Sequence, residues 1–577
     1  MMDRTGWAAV IGCAAAFFLW QGYMQRNYPT PVPKPKAATV APAAAAAKPA
    51  FPLPPERAGA VLTSDKLSPP PVNQVSAPEQ MVVQENEFLR VVYTSHGGGL
   101  KEVVLKQHQR EGDQPVILNL GAAEPVFNLS GWEGAQILEE YRLEQNGDTV
   151  VARRRLSNGL EIERRFQLVT GNYLMHVTQV IKNTTGQALT LPPYRINVGQ
   201  AGPLHFHDQP ALIKTGWLED ATEHFSVTTV PEFAPSSYVF GLFGSRPARS
   251  QIESPVSGPL RWVSVKNQFF ALILSPEGAP LIEKVESTKI TLPKLVRGST
   301  DPHGIQAAAW FPGLKMEAGA TQEQSFRLYA GPKEYARLKP LPGREDIAME
   351  FGFWKWMVIP LLATLRGFHT FIPNYGLTIV VLTLLVKAIL WPLQSMSNRS
   401  MKKMQALAPK MKELQERYKE DPQRLNKETM KMYQDYGVNP VGGCLPMLLQ
   451  LPIFLGFYTM LQSAVELRNQ GFLWIHDLSQ PDTITQFALA GFSLDINPLP
   501  IIMTATTIFL MRMSPQAADN PQMKMMQWMP LFFIFILYNF ASALALYWTV
   551  SNLVSMGQTY LNLRSPVPVL KKAVKKA

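Results

Sequence analysis

Lys387 is the residue whose type conflicts most with its surroundings. It falls within residues 378–390, an otherwise apolar run that also holds Thr383. An ammonium at membrane depth costs roughly 2.5–3.5 kcal/mol on insertion scales. It must therefore face protein or water, or else reach along its own stem to the nearer interface. Polar groups recur in the other apolar runs: Gln450, Asn539, Ser551, Asn552 and Gln558. A cavity with one fixed positive charge would attract acidic residues of an incoming polypeptide and thin the barrier without making a through-pore. The second candidate cluster is His205-Phe206-His207-Asp208. Positions two apart on a strand face the same side, so His205 and His207 could ligate a metal. No third ligand stands at a supporting spacing, and surface histidines in a loop rich in Gly and Pro account for the same residues. Cys13 and Cys444 each lie in an apolar segment, which leaves no disulfide framework or cysteine metal site. No cofactor is expected.

These groups sit in a chain of unequal halves. At 577 residues more than one folded unit is expected. Residues 7–23 are apolar and follow Arg4. Val10-Ile11-Gly12-Cys13 has the look of a lipoprotein cleavage site, but the apolar run continues through Trp20, so residues 1–27 read as an uncleaved anchor with its N-terminus inside. Residues 28–80 alternate proline and alanine and cannot bury enough surface to fold; they form a disordered linker. Residues 81–340 show period-two patterning with frequent turn signals. Residues 149–156 and 160–166 meet across Ser157-Asn158-Gly159, a tight-turn signature, and residues 173–182 and 287–292 read as further strands. The expectation is a large all-β sandwich that serves for binding or spacing.

Beyond residue 350 apolar runs dominate. Within residues 348–373, Phe351, Trp354, Val358, Leu361, Leu362, Leu365 and Phe368 recur at helical steps. This predicts an amphipathic helix, either in the outer membrane interface or packed on the β domain. Spans are expected at 375–393, at 445–461 and at about 498–511, the last short enough that its start could lie earlier. Residues 529–561 would make a helix of about 50 Å, well over the ~30 Å of hydrocarbon, so they divide into two helices around a turn near 539–543.

The formal charge is +11, and it is concentrated. Arg399, Lys402, Lys403, Lys410 and Lys412 share one loop; Lys571, Lys572, Lys575 and Lys576 form the tail. Six spans place both groups, and both termini, on the cytoplasmic side, as positive-inside orientation requires. Such charges point to anionic lipid, or to a ribosome, and no direct DNA binding is expected. Within residues 396–437, Met396, Met401, Met404, Leu407, Met411 and Leu414 mark one helical face, and Asp421-Pro422 is a helix-start signal. This predicts a cytoplasmic helical hairpin whose methionines either accept varied apolar partners or bury one another.

Asn439-Pro440-Val441-Gly442-Gly443-Cys444-Leu445-Pro446-Met447-Leu448-Leu449-Gln450-Leu451-Pro452-Ile453-Phe454 resembles the signature span of the YidC membrane protein insertases. The stretch from Phe472-Leu473-Trp474 through Ser479 resembles the outer loop that follows it; Met529-Pro530 and Tyr547-Trp548-Thr549-Val550-Ser551-Asn552-Leu553 resemble the last hairpin. Gly97-Gly98-Gly99 and Leu328-Tyr329-Ala330-Gly331-Pro332 are fainter echoes of the periplasmic domain. The resemblance implies an inner-membrane insertase with a five-helix core (residues 374–577), an N-terminal anchor and a periplasmic β-supersandwich shaped like sugar mutarotases but without their activity. It implies a hydrophilic groove open to cytoplasm and lipid, with Lys387 where the family usually has arginine. That change keeps the charge and loses the planar donor fork. Ala541-Ser542-Ala543 departs similarly from the usual Pro-Ser-Gly. By the same resemblance Thr383, Gln450, Tyr547, Trp548 and Asn552 line the groove, and Met401, Lys402, Lys403, Met404 and Met411 make contacts in the hairpin. Nascent membrane proteins, the Sec translocon, the ribosome and the lipid bilayer are the implied partners.

Two other classes compete. A secondary transporter would also bury a lysine, but should show internal repeats or paired broken helices, and neither is visible. A membrane-tethered carbohydrate-binding protein would need a site in the β domain, where only the histidine cluster offers one.

Overall fold

The computed structural model describes residues 78–564 except 111–113, 133–139, 206–207, 238–244, 255–257, 293–302, 420, 438–440, 490–491, 514–533 and 535–536. The N-terminal anchor, the proline-rich linker, His207, the helix expected before the last turn and the basic tail lie outside them.

Residues 81–332 fold as stacked antiparallel sheets. The largest has nine strands, in the order Phe225–Thr229, Lys214–Glu219, Leu260–Lys266, Phe270–Pro276, Thr321–Pro332, Leu174–Asn183, Leu160–Leu168, Thr149–Arg155 and Arg142–Asn146. A five-stranded sheet runs Gln251–Ser254, Lys284–Thr291, His303–Phe311, Tyr194–Ala201, Leu129–Ser130, and a four-stranded one covers residues 81–118. The period-two pattern explains the stacking. In Leu160–Leu168 every second side chain is buried, so Leu160, Ile162, Arg164 and Phe166 all point inward. Phe166 meets Tyr93 of the small sheet at 5.2 Å between ring centroids, while Phe326 meets Phe311 of the five-stranded sheet at 5.6 Å. The expected 149–166 hairpin forms, with Gly159 at φ +81° closing it; a Cβ there would also strike the Thr185 methyl at 2.4 Å.

A polar thread crosses this apolar core. Arg164 Nη1 donates to the carbonyls of Gly97 and Gly98, at 2.8 and 2.9 Å, and its Nε donates to Gln179 at 3.1 Å. Gln179 donates to Gln324, which also accepts from the Tyr194 hydroxyl. The glycine triplet is needed here: Gly98 has φ +58°, and a Cβ on it would enter the Tyr141 ring.

The segment after the sandwich is clamped to the large sheet. Trp262 Nε1 donates to the Gly343 carbonyl (2.9 Å), Arg327 pairs with Glu345 (2.7 Å), and Lys214 pairs with Glu350 (2.7 Å). Lys266, almost wholly buried, donates to the Ala348 carbonyl. Lys333 is buried beside this group and its ammonium makes no hydrogen bond among the described residues. Burial pushes Lys333 down to about 7, with Lys266 and Lys214 pressing the same way and Glu350 against. In the unfolded chain a lysine titrates near 10.4. Below about pH 7 Lys333 is therefore charged in both states and the whole burial penalty stands; as pH rises toward the unfolded value the folded lysine is neutral first and the penalty fades. Lys333→Met should stabilise the full chain by about 1–3 kcal/mol near pH 6.5. The gain should shrink by about pH 9 in unfolding curves followed by tryptophan fluorescence. A variant less stable than the parent near pH 6.5 contradicts this.

Seven helices follow, named in chain order: α1 (Lys355–His369), α2 (Tyr375–Ala406), α3 (Ala408–Arg417), α4 (Pro422–Asp435), α5 (Val441–Ser463), α6 (Pro498–Met513) and α7 (Ser542–Arg564). Among the described residues only α2 is both long and apolar enough to cross a membrane by itself; α6 is apolar but short. The amphipathic α1 buries Val358, Leu361, Leu362 and Leu365 against α5 and α2, whereas Trp356 and nearby Phe353 are exposed. Its inner face thus packs on the helical bundle and not on the β domain.

Three boundaries differ from expectation. The helix beginning at Tyr375 does not stop near residue 393 but continues to Ala406, because residues 394–406 contain no stop signal and Pro392 is absorbed within it. The first hairpin arm is therefore the end of α2 followed by a break at Leu407 and the short α3, which Pro409 helps to start. The third span does not begin before Pro498, since residues 485–496 form a small two-stranded hairpin. The last turn closes at residues 538–541, and α7 begins at Ser542.

Candidate functional site

α2, α5 and α7 meet around Lys387. The lysine is 9% exposed, and its Nζ donates to Ser555 Oγ of α7 at 3.0 Å, with Gln450 Oε1 of α5 at the outer limit of 3.5 Å. Gln450 Nε2 donates in turn to the Tyr547 hydroxyl at 3.1 Å. One ammonium thus ties three helices through a chain of neutral polar groups. No carboxylate pairs with it among the described residues, so its charge is not cancelled locally. Helical spacing brings this about: Tyr547, Ser551 and Ser555 are four apart on α7 and share a face.

Aromatic packing holds the helices at this separation. Phe457 of α5 stacks on Tyr547 at 4.1 Å, and Phe454 meets Trp548 edge to face at 4.8 Å. Of the residues expected beside the lysine, Gln450 and Tyr547 are brought to it and Trp548 lies half-buried one position on. Thr383 is on the lysine's face of α2 but fully buried, its hydroxyl donating to the Ile379 carbonyl at 2.7 Å. Asn552 is turned to α6, donating to Thr507 at 2.8 Å and Thr506 at 3.1 Å, and so joins helices instead of lining the site. Ser555 is the site residue that sequence reasoning missed; the signal was its four-residue step from Ser551.

In the hairpin, Met404 and Met411 pack with Leu414, Tyr433 and Tyr436 against buried Leu407 and Met432. The two arms therefore bury most of the methionine face between them, and Met396 and Met430 remain exposed. Met401 and Lys403 are half-buried, whereas Lys402 is buried with its ammonium on the Asn562 carbonyl of α7.

His205 is not a free ligand. Arg468 Nη2 reaches its Nε2 at 3.1 Å and the Gln480 amide its Nδ1 at 3.0 Å, with Asp208 3.6 Å from Nδ1. Arg468 also donates to the Gln109 carbonyl and lies over Phe269 and Phe270 at 5.8 and 5.5 Å. Gln268 donates to the Gln462 carbonyl at the end of α5 (2.9 Å). The loop that receives these contacts caps α7, since Ser542 N donates to the Gln480 carbonyl and Ala543 N to that of Leu478. The histidine cluster is thus a docking joint between the β domain and the end of α7.

Residues 82–364 match the YidC periplasmic domain family and residues 367–567 match the 60Kd inner membrane protein family. A membrane protein insertase YidC from Syntrophus aciditrophicus is 30% identical, over 97% of this chain and 99% of its own. The Neisseria gonorrhoeae (strain FA 1090) insertase YidC is 31% identical over 84% of this chain and 88% of its own. Among solved structures, an active YidC insertase crystal structure with the first transmembrane domain resolved overlaps 84% of this chain and 93% of its own, at 17% identity and a TM-score of 0.34. A galactose mutarotase-related enzyme from Lactobacillus acidophilus overlaps 44% of this chain and 97% of its own, at 9% identity and a TM-score of 0.29.

Proposed function

Because this chain belongs to the YidC family of membrane protein insertases, proteins of the inner membrane that carry a periplasmic domain, we propose that Lys387 is the charge that draws its substrates in. The observation that carries this reading is the pairing of Lys387 with neutral partners only, Ser555 and Gln450. An uncompensated ammonium inside a helical bundle attracts a carboxylate strongly, since the surrounding dielectric screens it less than water does. The acidic extramembrane end of a nascent chain is pulled partway across, and its apolar segment leaves sideways into lipid. A single ammonium attracts without imposing the bidentate geometry of a guanidinium, which suits varied substrates.

The topology that serves this path has six spans with both termini in the cytoplasm. The concentration of lysines in residues 571–576 and in the hairpin supports it. The hairpin's lysines and its exposed Met396 and Met430 then face incoming chains and the ribosome, and larger substrates pass with the Sec translocon. The groove wall is Gln450, Tyr547 and Trp548, with Thr383 behind it.

Photocrosslinkers placed at Trp548 and Ser555 in the full-length protein test the path with a stalled nascent chain. Both are expected to capture the chain's apolar segment, while one at Asn552, which faces α6, should capture little. Equal capture from all three positions, or from Asn552 alone, overturns the path.

A further inference from the structure

Lys387 lies more than three helical turns from the end of α2, yet a second set of buried polar groups connects the two. On α2, Gln394, Asn398 and Lys402 follow Lys387 within about 60° of one face, and on α7 Ser551, Ser555, Gln558 and Asn562 share a face equally narrow. These faces meet along the packed pair of helices, pinned at one end by Lys387 on Ser555 (3.0 Å) and at the other by Lys402 on the Asn562 carbonyl. Between the pins the groups are not satisfied by protein. Gln558 is 3% exposed, and neither its Nε2 nor its Oε1 has a partner; Asn398 is 8% exposed, accepts from Gln394 at 3.2 Å, and leaves its Nδ2 unpartnered.

Three unpaired amide atoms in one seam are expensive in a dry interior, and buried polar groups without protein partners are the ones that hold ordered water. A Gln offers both donor and acceptor, so a water there can receive from Nε2 and give to Oε1, and Asn398 Nδ2 supplies another donor. We propose that Gln558 and Asn398 hold a short file of water between α2 and α7, linking the Lys387 ammonium to the end of the helices where Lys402 lies. The file keeps the lysine hydrated at the back of the bundle, independently of whether the front is filled by a substrate. This inference rests on the groove reading of Lys387 and adds Gln558 and Asn398 to it as positioning residues.

The test uses the full-length protein in native membranes. A cysteine at the lysine position (Lys387→Cys) is labelled with N-ethylmaleimide, first with Gln558 intact and then with Gln558→Leu. A hydrated file predicts that Gln558→Leu slows labelling by at least about tenfold, equivalent to about 1.4 kcal/mol on access. Gln558→Glu, which still binds water, should label at close to the parent rate. The same Gln558→Leu change in the Lys387 protein should leave thermal stability near the parent's. A dry seam gives the opposite pair of results, an unchanged labelling rate and a higher melting temperature, since leucine then removes two unpaired atoms at no loss; either result overturns the file. The groove reading fails separately, if charge reversal at Lys387 leaves insertion intact.

Discussion

Lys387→Glu is expected to reduce insertion of substrates with acidic extramembrane tails by at least tenfold. At an effective dielectric of about 20, a carboxylate about 6 Å from the ammonium gains about 3 kcal/mol, and reversal turns that gain into repulsion of similar size. Each 1.4 kcal/mol is about tenfold in an equilibrium, so the loss is large even after solvent takes its share. Lys387→Arg should insert at least as well as the parent, because the charge persists and the donors multiply. Lys387→Gln, which keeps a bond to Ser555 without charge, should fall between. The measurement is protease protection of a tagged substrate at matched insertase levels, with a substrate of neutral tail alongside. If Lys387→Glu inserts the acidic substrate normally, attraction by this residue is not the driving force.

Arg468→Met should free the β domain from the helical bundle. Arg468 is 6% exposed, and burial lowers it from the ordinary arginine value while Asp477 and Asp208 oppose that shift. Removing it leaves the Gln109 carbonyl short of a donor, His205 Nε2 unpaired and the face of Phe270 uncovered. Losing a buried, hydrogen-bonded charge of this kind costs about 2–4 kcal/mol. The cost falls on the joint, since the sandwich has its own core in Trp262, Phe166 and Phe326. Hydrogen exchange should therefore accelerate at residues 104–110 and 465–482 and at the first turn of α7, with little change in the strands Leu160–Leu168 and Leu174–Asn183. His108 gives a second readout. Burial, then Arg468 and Arg337, push it down to about 4, so removing Arg468 should raise its titration midpoint. Protection unchanged at all three segments would show that the joint is held by something other than this arginine.

Patterns of short period were legible directly. Alternation along Leu160–Leu168 and Asn158-Gly159 between two strands specified a hairpin, because the pleat and the positive φ are local properties. Lys387 announced itself for an equally local reason: a charge within an apolar run must find a polar neighbour wherever the run ends up. The overlong last apolar stretch implied its own turn by length alone. Which neighbour each polar residue finds is another matter. Asn552 and Ser555 are three apart on α7, yet one bonds α6 and the other Lys387; Gln450 reaches both Lys387 and Tyr547 across two interfaces. His205 looked like half of a metal site and became a docking residue, because Arg468 arrives from 263 positions away. Amino-acid types and spacing set which groups needed partners; helix rotation and docking, cooperative results of packing the whole chain, chose the partners.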